Sequence, residues 1–349
     1  MQRILWIVLV VSISLFGAQA PYEKTFITLV DEKVKDGNIT AVSKVSCQKG
    51  DCTIEKMVLA NRDDVSGEAH TTTIALFNVK NVRNFIEFKD RRGVLKEGEK
   101  RDYSVVLKDI QIDGHNLFFD KKKLAKELGE KSELYHYFQK HLDGESHAKY
   151  TLTLEKRKGD AVLHDQGSLH TGAFTFAVNS QYTVKGGFEK LDEVAQENPM
   201  GMLSYLVINS LEFKINNPKG FLKNLLYLSY KEAMQEATTK EDRMAVNQSF
   251  LLEGDKTHSA ETFTEKVRTS SREKIQEMAK TDPIFDALIN RDGQFEKKLD
   301  AVLAGKSREI LFRIENPKAL PLADFFTLFM GYAMQQKLVS KPEIKVVIK

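Results

Sequence analysis

The 349-residue sequence contains few of the residues on which several protein classes depend. It has two cysteines, seven prolines and one tryptophan, and its 52 basic side chains are nearly balanced by 49 acidic ones. Two cysteines are too few for a disulfide-stapled scaffold, or for a zinc or iron–sulfur site built from several thiolates. A net charge of +3 gives no strongly basic surface of the kind that nucleic-acid-binding proteins present. We therefore expect neither a cofactor nor a nucleic-acid partner.

The sequence also lacks the short motifs that mark common enzyme active sites. It has no Gly-x-Ser-x-Gly, no His-Glu-x-x-His and no Gly-x-x-x-x-Gly-Lys-(Ser/Thr). These absences favour a non-enzymatic protein. The alternative is an exported hydrolase with an unfamiliar site, in which Asp165 would act with His164 or His170.

The N-terminus has the organisation of a secretory signal peptide. Arg3 precedes an apolar run at 4–16, and a small-residue segment that ends at Ala20 follows the run. The run is shorter than the ~20 apolar residues that a transmembrane helix needs. We expect residues 1–20 to be removed and the protein to be periplasmic or secreted. Because Pro21 would impede cleavage, an uncleaved N-terminal membrane anchor is the alternative.

Cys47 and Cys52 are predicted to form a disulfide across a β-hairpin. They bracket four turn residues, and directly opposed residues of an antiparallel pair lie within disulfide distance. Side chains alternate along a strand, so this register places the apolar partners on one face. The pairs that it predicts are Val45 with Ile54, Ala41 with Val58 and Ile39 with Ala60. No second thiol pair exists to complete a metal site, and export favours oxidation.

The rest of the pattern predicts an α+β fold with long, curved antiparallel sheets packed on apolar helices. Period-two alternation and turn residues predict strands at 25–34, 39–47, 52–60, 71–79, 103–112, 150–154, 174–178, 182–184, 206–215, 310–314 and 344–348. Helical spacing predicts helices at 117–128, 133–142 and 320–338. We expect a β-rich domain at 21–145 that ends in a helical segment. An α+β domain at 146–349 would follow, with a mainly helical insertion at about 220–305.

One local pattern, Phe-x-(Ile/Val)-x-Asn-(Pro/Val)-(Lys/Arg), occurs three times, beginning at Phe77, Phe213 and Phe312. Residues two apart share a strand face, Asn is a favoured helix N-cap, and Pro suits the first helical turn. Each copy therefore predicts a strand-to-helix corner. The two later copies precede the apolar stretches 221–234 and 320–334, which indicates an internal duplication with two helices entering a shared interior.

These two apolar helices are the basis of a ligand hypothesis. A helix that is apolar around most of its circumference is buried in a core or lines an apolar site. We expect the protein to bind a lipid or another apolar ligand, or an envelope partner; the alternative is a structural or assembly factor. Membrane contact is expected only through the N-terminus or peripherally. The candidate groove residues are Phe221, Leu225, Leu226, Phe325, Phe326 and Phe329.

Two further sets of residues are candidates for modification or metal binding. His164 and His170 would meet as metal ligands if the chain turned at Gly167. Asn38 begins an Asn-x-Thr acceptor pattern for N-glycosylation on a predicted turn, and Asn247 begins an Asn-x-Ser pattern. The alternative for all four is an ordinary polar surface position.

Overall fold

The computed structural model describes residues 22–62, 69–90, 95–117, 119–172, 174–216, 220–281, 294–324 and 345–348. Its strands are β1 (Ile39–Gln48), β2 (Asp51–Arg62), β3 (Ala69–Lys80), β4 (Lys100–Ile112), β5 (His115–Asn116), β6 (Ser146–Arg157), β7 (Asp160–Thr171), β8 (Phe174–Val184), β9 (Leu206–Asn216), β10 (Glu309–Glu315) and β11 (Lys345–Ile348). Its helices are α1 (Tyr22–Lys35), α2 (Val82–Asp90), α3 (Lys121–Leu128), α4 (Glu133–Leu142), α5 (Gly187–Glu197), α6 (Phe221–Glu236), α7 (Lys240–Ser249), α8 (Ala260–Thr281) and α9 (Gln294–Leu303), with a short 3₁₀ helix at Gly201–Ser204.

A single open antiparallel sheet organises these elements, and the predicted α+β class is confirmed. The strands lie in the order β1-β2-β3-β4-β6-β7-β8-β9-β10-β11, and the short β5 pairs with β4. The sheet continues across residue 145, because β4 pairs with β6 from Lys100↔Glu155 to Lys108↔His147. The division into domains at 21–145 and 146–349 stays a prediction.

The first described element is a helix, so the strand predicted at 25–34 is wrong. The β-branched residues in this stretch favoured a strand. In α1, however, Phe26, Leu29 and Val30 are buried, and their spacing of three and four places them on one helical face against the sheet. Lys33 and Lys35 in the last turn also suit the negative end of the helix dipole.

The hairpin β1–β2 is closed by the predicted disulfide between Cys47 and Cys52, with an S–S distance of 1.97 Å. The observed register includes Val45↔Ile54 and Ala41↔Val58, as predicted. The third pair is wrong: Ile39 lies opposite Leu59, because the register shifts by one residue between Ile39 and Ala41. The backbone N–H of Gly50 donates to Oε1 of Glu23 at 2.7 Å, which fixes α1 to this hairpin.

One irregular row crosses the first strands of the sheet. Lys56 in β2 and Asp109 in β4 have positive φ angles of 47° and 48°. At this level the buried side chains are three residues apart instead of two: Ile54 to Met57, Ile74 to Phe77 and Leu107 to Ile110. Such an irregularity resets the alternation of the strands. It keeps apolar side chains under the helices on both sides of the row.

The sheet has two chemically different sides. We call the side covered by α1 and α2 the helix side; Phe26 and Phe85 pack there against a core that includes Tyr103, Leu107 and Leu152. We call the opposite side the polar side; its exposed side chains include Lys149, His164, Gln166, His170 and Gln181. Because side chains alternate along a strand, every residue of β6–β8 is assigned to one of these two sides.

A buried carboxylate joins α1, α2 and β4 on the helix side. Glu87 is 5 % exposed and accepts hydrogen bonds from the Tyr22 hydroxyl, from Nε of Arg83 at 3.1 Å and from Nη1 of Arg101 at 2.8 Å. Burial by itself opposes ionisation of Glu87. The hydrogen bonds from Tyr22 and Arg83, with the charges of Arg83 and Arg101, outweigh burial and hold the pKa of Glu87 below its ordinary value.

The helices α6, α7 and α8 form a second core between β9 and β10. Tyr230, Met234, Leu252, Phe263 and Val267 are its buried residues. The Tyr230 hydroxyl donates to Oδ1 of Asn247 at 3.1 Å and accepts from the backbone N–H of His258 at 3.0 Å. This placement agrees with a helical insertion at about 220–305. Among the described helices, none is both long and apolar enough to cross a membrane.

The two later copies of the repeated pattern lie side by side. Phe213 in β9 is directly opposite Phe312 in β10. Because the strands are antiparallel, the chain leaves them at opposite ends of the sheet, not at two equivalent bends. Asn316 is not an N-cap: its side chain donates to the carbonyls of Ile208 at 3.0 Å and Leu320 at 2.9 Å, so it closes a loop against β9. The apolar segment 325–334 lies outside the described residues.

We expect Glu87→Gln to destabilise the protein by roughly 2 kcal/mol at pH 7, because it removes a charge from a buried, hydrogen-bonded network. Since the folded-state pKa of Glu87 is lowered, its contribution is present above the unfolded pKa of about 4.3 and is lost as the pH falls. Urea denaturation at pH 7 and pH 3 measures both effects. Glu55→Gln is the control, since its exposed pair with Lys44 contributes about 0.5 kcal/mol or less. Equal effects of the two substitutions would contradict the role of Glu87.

Candidate functional site

The described groove candidates lie on the first turns of α6, in two different surroundings. Phe221 is buried at the end of the sheet, where its ring packs against Phe174 at 4.4 Å and Tyr137 at 5.2 Å. Leu226 instead packs against the separate core of α6–α8, and Leu225 is half-buried on the same helix. Phe325, Phe326 and Phe329 lie outside the described residues. The apolar face of α6 is therefore used largely for packing between helices.

The two histidine candidates are not brought together either. β7 runs without a turn through Gly167, so residues 164 and 170 lie about 20 Å apart on the polar side. His164 contacts Oδ1 of Asn179 at 2.7 Å, and Nδ1 of His170 contacts the Thr175 hydroxyl at 2.9 Å. Across the described residues, no group of three or more histidine, cysteine, aspartate or glutamate side chains could hold a metal ion.

The residues named for the hydrolase alternative lie on different sides of β7. Asp165 lies on the helix side of β7, whereas His164 and His170 lie on the polar side. A carboxylate and an imidazole on opposite sides of a sheet cannot share a proton or a substrate. The hydrolase alternative itself stays a prediction.

The two glycosylation candidates have different surroundings. Asn38 lies exposed in the turn between α1 and β1, and its modification stays a prediction. Asn247 is 0 % exposed, and its Nδ2 donates to the carbonyls of Gly254 at 2.9 Å and Lys256 at 3.2 Å. A glycan cannot be attached to this nitrogen in the folded protein. The sequence signal at Asn247 instead marks a buried packing residue.

Asp165 and Ser180 form a polar pair at the centre of the helix side. They lie directly opposite each other on β7 and β8. Ser180 is 1 % exposed, and neither its Oγ nor Oδ1 of Asp165 has a hydrogen-bond partner, although both atoms are buried. A buried polar atom without a partner is costly, and such atoms are uncommon in native proteins. These two atoms therefore mark a candidate binding site.

Three tyrosines surround this pair. The rings of Tyr103 on β4 and Tyr150 on β6 lie 6.3 Å apart between centroids. Burial, reinforced by the charge of Asp165, raises the pKa of Tyr103 to about 12. Burial also raises the pKa of Tyr150, with further contributions from Tyr103, Asp165 and Tyr182. The charge of Asp165 thus contributes to the raised pKa of both Tyr103 and Tyr150, because a nearby negative charge disfavours the ionised phenol.

Open space adjoins the pair on the helix side. Gly167 follows Asp165 on this side of β7 and lies between Tyr150 and Val178. A Cβ added at Gly167 would meet no heavy atom within 4 Å. On β9, Phe213 lies opposite Val178 and is 39 % exposed, which is unusual for a phenylalanine on the buried side of a sheet.

We call this region the central groove and define it by Tyr103, Tyr150, Asp165, Gly167, Val178, Ser180, Tyr182 and Phe213. The strand segments that carry it extend about 20 Å along β7, from Leu163 to Leu169, and about 14 Å across the sheet, from β6 to β9. Leu169 at one end is buried in the core, and Leu163 at the other end packs against that core. The groove is thus an elongated, mainly apolar surface with one polar centre.

Asp165 is the one formally charged side chain on the helix side of β6–β8, apart from Lys156 at the hairpin end, about 13 Å away along the strands. Burial raises the pKa of Asp165. The neighbouring acid–base network of Glu87, Arg83 and Arg101 is satisfied internally. The groove therefore presents an acidic group and hydroxyl acceptors within an apolar surface.

Sequence reasoning singled out Asp165 but not its surroundings. The signal that could have found the site was an Asp and a Gly at alternate positions of β7, where the flanking Leu163 and Leu169 are apolar. Nothing in the sequence showed that Ser180 would lie opposite Asp165, because that requires the register of β7 with β8. No protein-family model and no curated protein matches the chain.

We expect Asp165→Asn to stabilise the ligand-free protein by about 1 kcal/mol at pH 8, because it removes a poorly solvated charge. The folded-state pKa of Asp165 is raised, so its contribution is fully present below the unfolded pKa of about 3.9 and is lost as the pH rises through the folded value. The difference between variant and wild type should accordingly vanish near pH 4. Urea midpoints between pH 4 and pH 8 measure it.

Asp102→Asn is the matched control, since Asp102 is exposed on the other side of β4. Its stability should follow that of the wild type throughout this pH range. A destabilised Asp165→Asn at pH 8 would mean that the carboxylate has a stabilising partner in the empty groove.

Proposed function

We propose that the protein is a non-enzymatic binding protein of the bacterial cell envelope, and that its ligand is an amphiphile held in the central groove. The apolar part of the ligand lies along β6–β9, and its polar group reaches Asp165 and Ser180. Two buried polar atoms without partners, Oδ1 of Asp165 and Oγ of Ser180, carry this proposal. A ligand that bonds to both atoms would recover the free energy that they cost in the empty protein.

The shape of the groove favours a molecule with a long apolar portion. Its strand segments span about 20 Å along β7 and about 14 Å across the sheet, and most of the side chains on this area are apolar. Leu163, Val178 and Phe213 contribute half-buried or exposed apolar surface on either side of the polar centre. Binding sites for small ligands are usually lined by apolar side chains, and a few precisely positioned polar groups fix the orientation of the ligand.

The expectation of export, which comes from the sequence, supports the same proposal. The signal-like residues 1–20 precede α1 in the chain, and the disulfide between Cys47 and Cys52 is typical of proteins that reach an oxidising compartment. An envelope compartment is rich in amphiphiles. We propose a periplasmic or secreted location, with an uncleaved N-terminus as the alternative.

A substitution that fills the groove tests the proposal. Gly167→Phe adds a ring above open space and between Tyr150 and Val178 without removing a polar group. Phenylalanine also has the higher strand propensity, so we expect an unchanged or higher unfolding midpoint. Uptake of dansyl-undecanoic acid and of fluorescent phospholipid from vesicles should fall at least tenfold. Fluorescence titration of delipidated protein measures both.

Gln166→Phe is the matched control, because it adds the same ring to the same strand on the polar side. It should leave uptake unchanged. If wild-type protein takes up neither probe, or if both variants bind as the wild type does, the central groove is not the binding site.

Native mass spectrometry of protein purified from its own cells tests location and occupancy together. We expect an intact mass that corresponds to removal of residues 1–20 and an extra mass, released by organic solvent, of a lipid-sized amphiphile. Protein that retains its N-terminus would indicate an anchor. A stoichiometric protein partner without extractable lipid would favour an assembly factor instead of a lipid-binding protein.

A further inference from the structure

We infer that the ligand of the central groove carries a primary ammonium group, which binds between Asp165, Ser180 and a tyrosine hydroxyl. This inference depends on the proposed function, because it names the chemistry of the polar end of the amphiphile. It follows from the charge, the hydrogen-bonding capacity and the aromatic surroundings of the groove.

Charge is the first argument. Asp165 is the formally charged group at the centre of the helix side of β6–β8, and the described bases nearest to that side are engaged elsewhere. Arg101 binds Glu87 at 2.8 Å and Glu99 at 2.6 Å, and Lys156 lies at the far end of the hairpin. A carboxylate placed in an apolar surface without a cation is costly unless a ligand supplies that cation. A ligand carboxylate or phosphate would be repelled at this position.

Hydrogen-bonding capacity is the second argument. A primary ammonium has three donors and no acceptor. The groove offers two buried acceptors that lack partners, Oδ1 of Asp165 and Oγ of Ser180, directly opposite each other on adjacent strands. Tyr150 lies opposite Gly167 and Tyr182 opposite Leu163, so both are diagonal neighbours of Asp165, and the hydroxyl oxygen of either would supply a third acceptor. A quaternary ammonium has no N–H donor and would leave both buried acceptors unpaired.

The aromatic surroundings are the third argument. Tyr103, Tyr150 and Tyr182 lie on the helix side of β4, β6 and β8, so tyrosines flank the carboxyl on β7 from the β6 side and from the β8 side. The face of an aromatic ring attracts cations, and tyrosine rings commonly line cation sites. An acid set among tyrosines therefore suits an amine better than it suits a neutral alcohol.

The test compares decyl compounds that differ only in their polar group. Isothermal titration calorimetry of delipidated full-length protein, below the micelle concentration and at pH 8, would use decylamine, decyltrimethylammonium, decanol and decanoate. We expect decylamine to bind about tenfold or more tightly than the other three, as a charge-assisted hydrogen bond requires. Asp165→Asn should remove this preference while leaving the binding of decanol unchanged, and Ser180→Ala should weaken decylamine alone.

The pH dependence gives an independent readout. Decylamine affinity should fall as the pH decreases and Asp165 becomes protonated in the empty groove, whereas decanol affinity should stay constant. The titratable groups that face Asp165 are Tyr103, Tyr150 and Tyr182, and the charge of His164, the preceding residue on β7, also acts on Asp165. For Tyr103 and Tyr150 the pKa is raised above its ordinary value, so they stay neutral over this range. The decanol titration is the control for Glu87, Arg83 and Arg101 of the adjacent network. A pH effect that acts through these residues would change the affinity for decanol as well.

The outcomes separate this inference from the proposed function. Equal binding of all four compounds, abolished by Gly167→Phe, would keep the amphiphile groove and overturn the ammonium site. Tight binding of decyltrimethylammonium equal to that of decylamine would also overturn it, since hydrogen bonds would then contribute nothing. Binding of none of the four compounds would contradict the groove itself. Tighter binding of dihexanoyl phosphatidylethanolamine than of dihexanoyl phosphatidylcholine would support the inference and identify the natural ligand as a phospholipid. Tight binding of decylamine without that preference would support the inference with a single-chain amine as the natural ligand.

Discussion

The antiparallel register from β4 to β10 determines which side chains can act together in this protein. Along these strands each side chain belongs either to the helix side or to the polar side, and a shift of one residue would exchange them. Asp165, Ser180 and Tyr150 share the helix side, whereas His164 and His170 lie on the other. The chemistry available at the centre of the helix side is therefore an acid among hydroxyls and apolar side chains, with the imidazoles of His164 and His170 on the opposite side of the sheet.

Two buried carboxylates on the helix side illustrate what this environment requires. Glu87 accepts hydrogen bonds from Tyr22, Arg83 and Arg101, and these bonds lower its pKa despite burial. Asp165 lies among tyrosines without such donors, and burial raises its pKa. The first arrangement stabilises the fold. The second leaves a buried acceptor without a partner, which costs stability and supports the proposal that Asp165 contacts a ligand.

Local sequence signals were sufficient for elements whose partners are close in the chain. The hairpin closed by Cys47 and Cys52 followed from alternation across a short turn, and most strands followed from period-two patterns. The errors arose where a distant contact decides. β-branched residues at 25–34 favoured a strand, but burial of Phe26 against the sheet made the segment a helix. The register shift beside Ile39 has no local signal that a pattern of apolar residues could reveal.

The candidate site also depends on contacts between residues that are distant in the sequence. The apolar helices carry the strongest hydrophobic signal in the sequence, and this signal predicted that they line a ligand site. In the structure, Tyr230 and Met234 of α6 instead pack in a core with α7 and α8. Apolar residues are needed for any core, so their density alone does not distinguish a groove from packing. The informative residues are the polar ones that the core does not need. Asp165 and Ser180 are positioned by strands, whose backbone bonds on both sides hold them rigidly, and a rigid scaffold is what selective recognition of a small polar group requires.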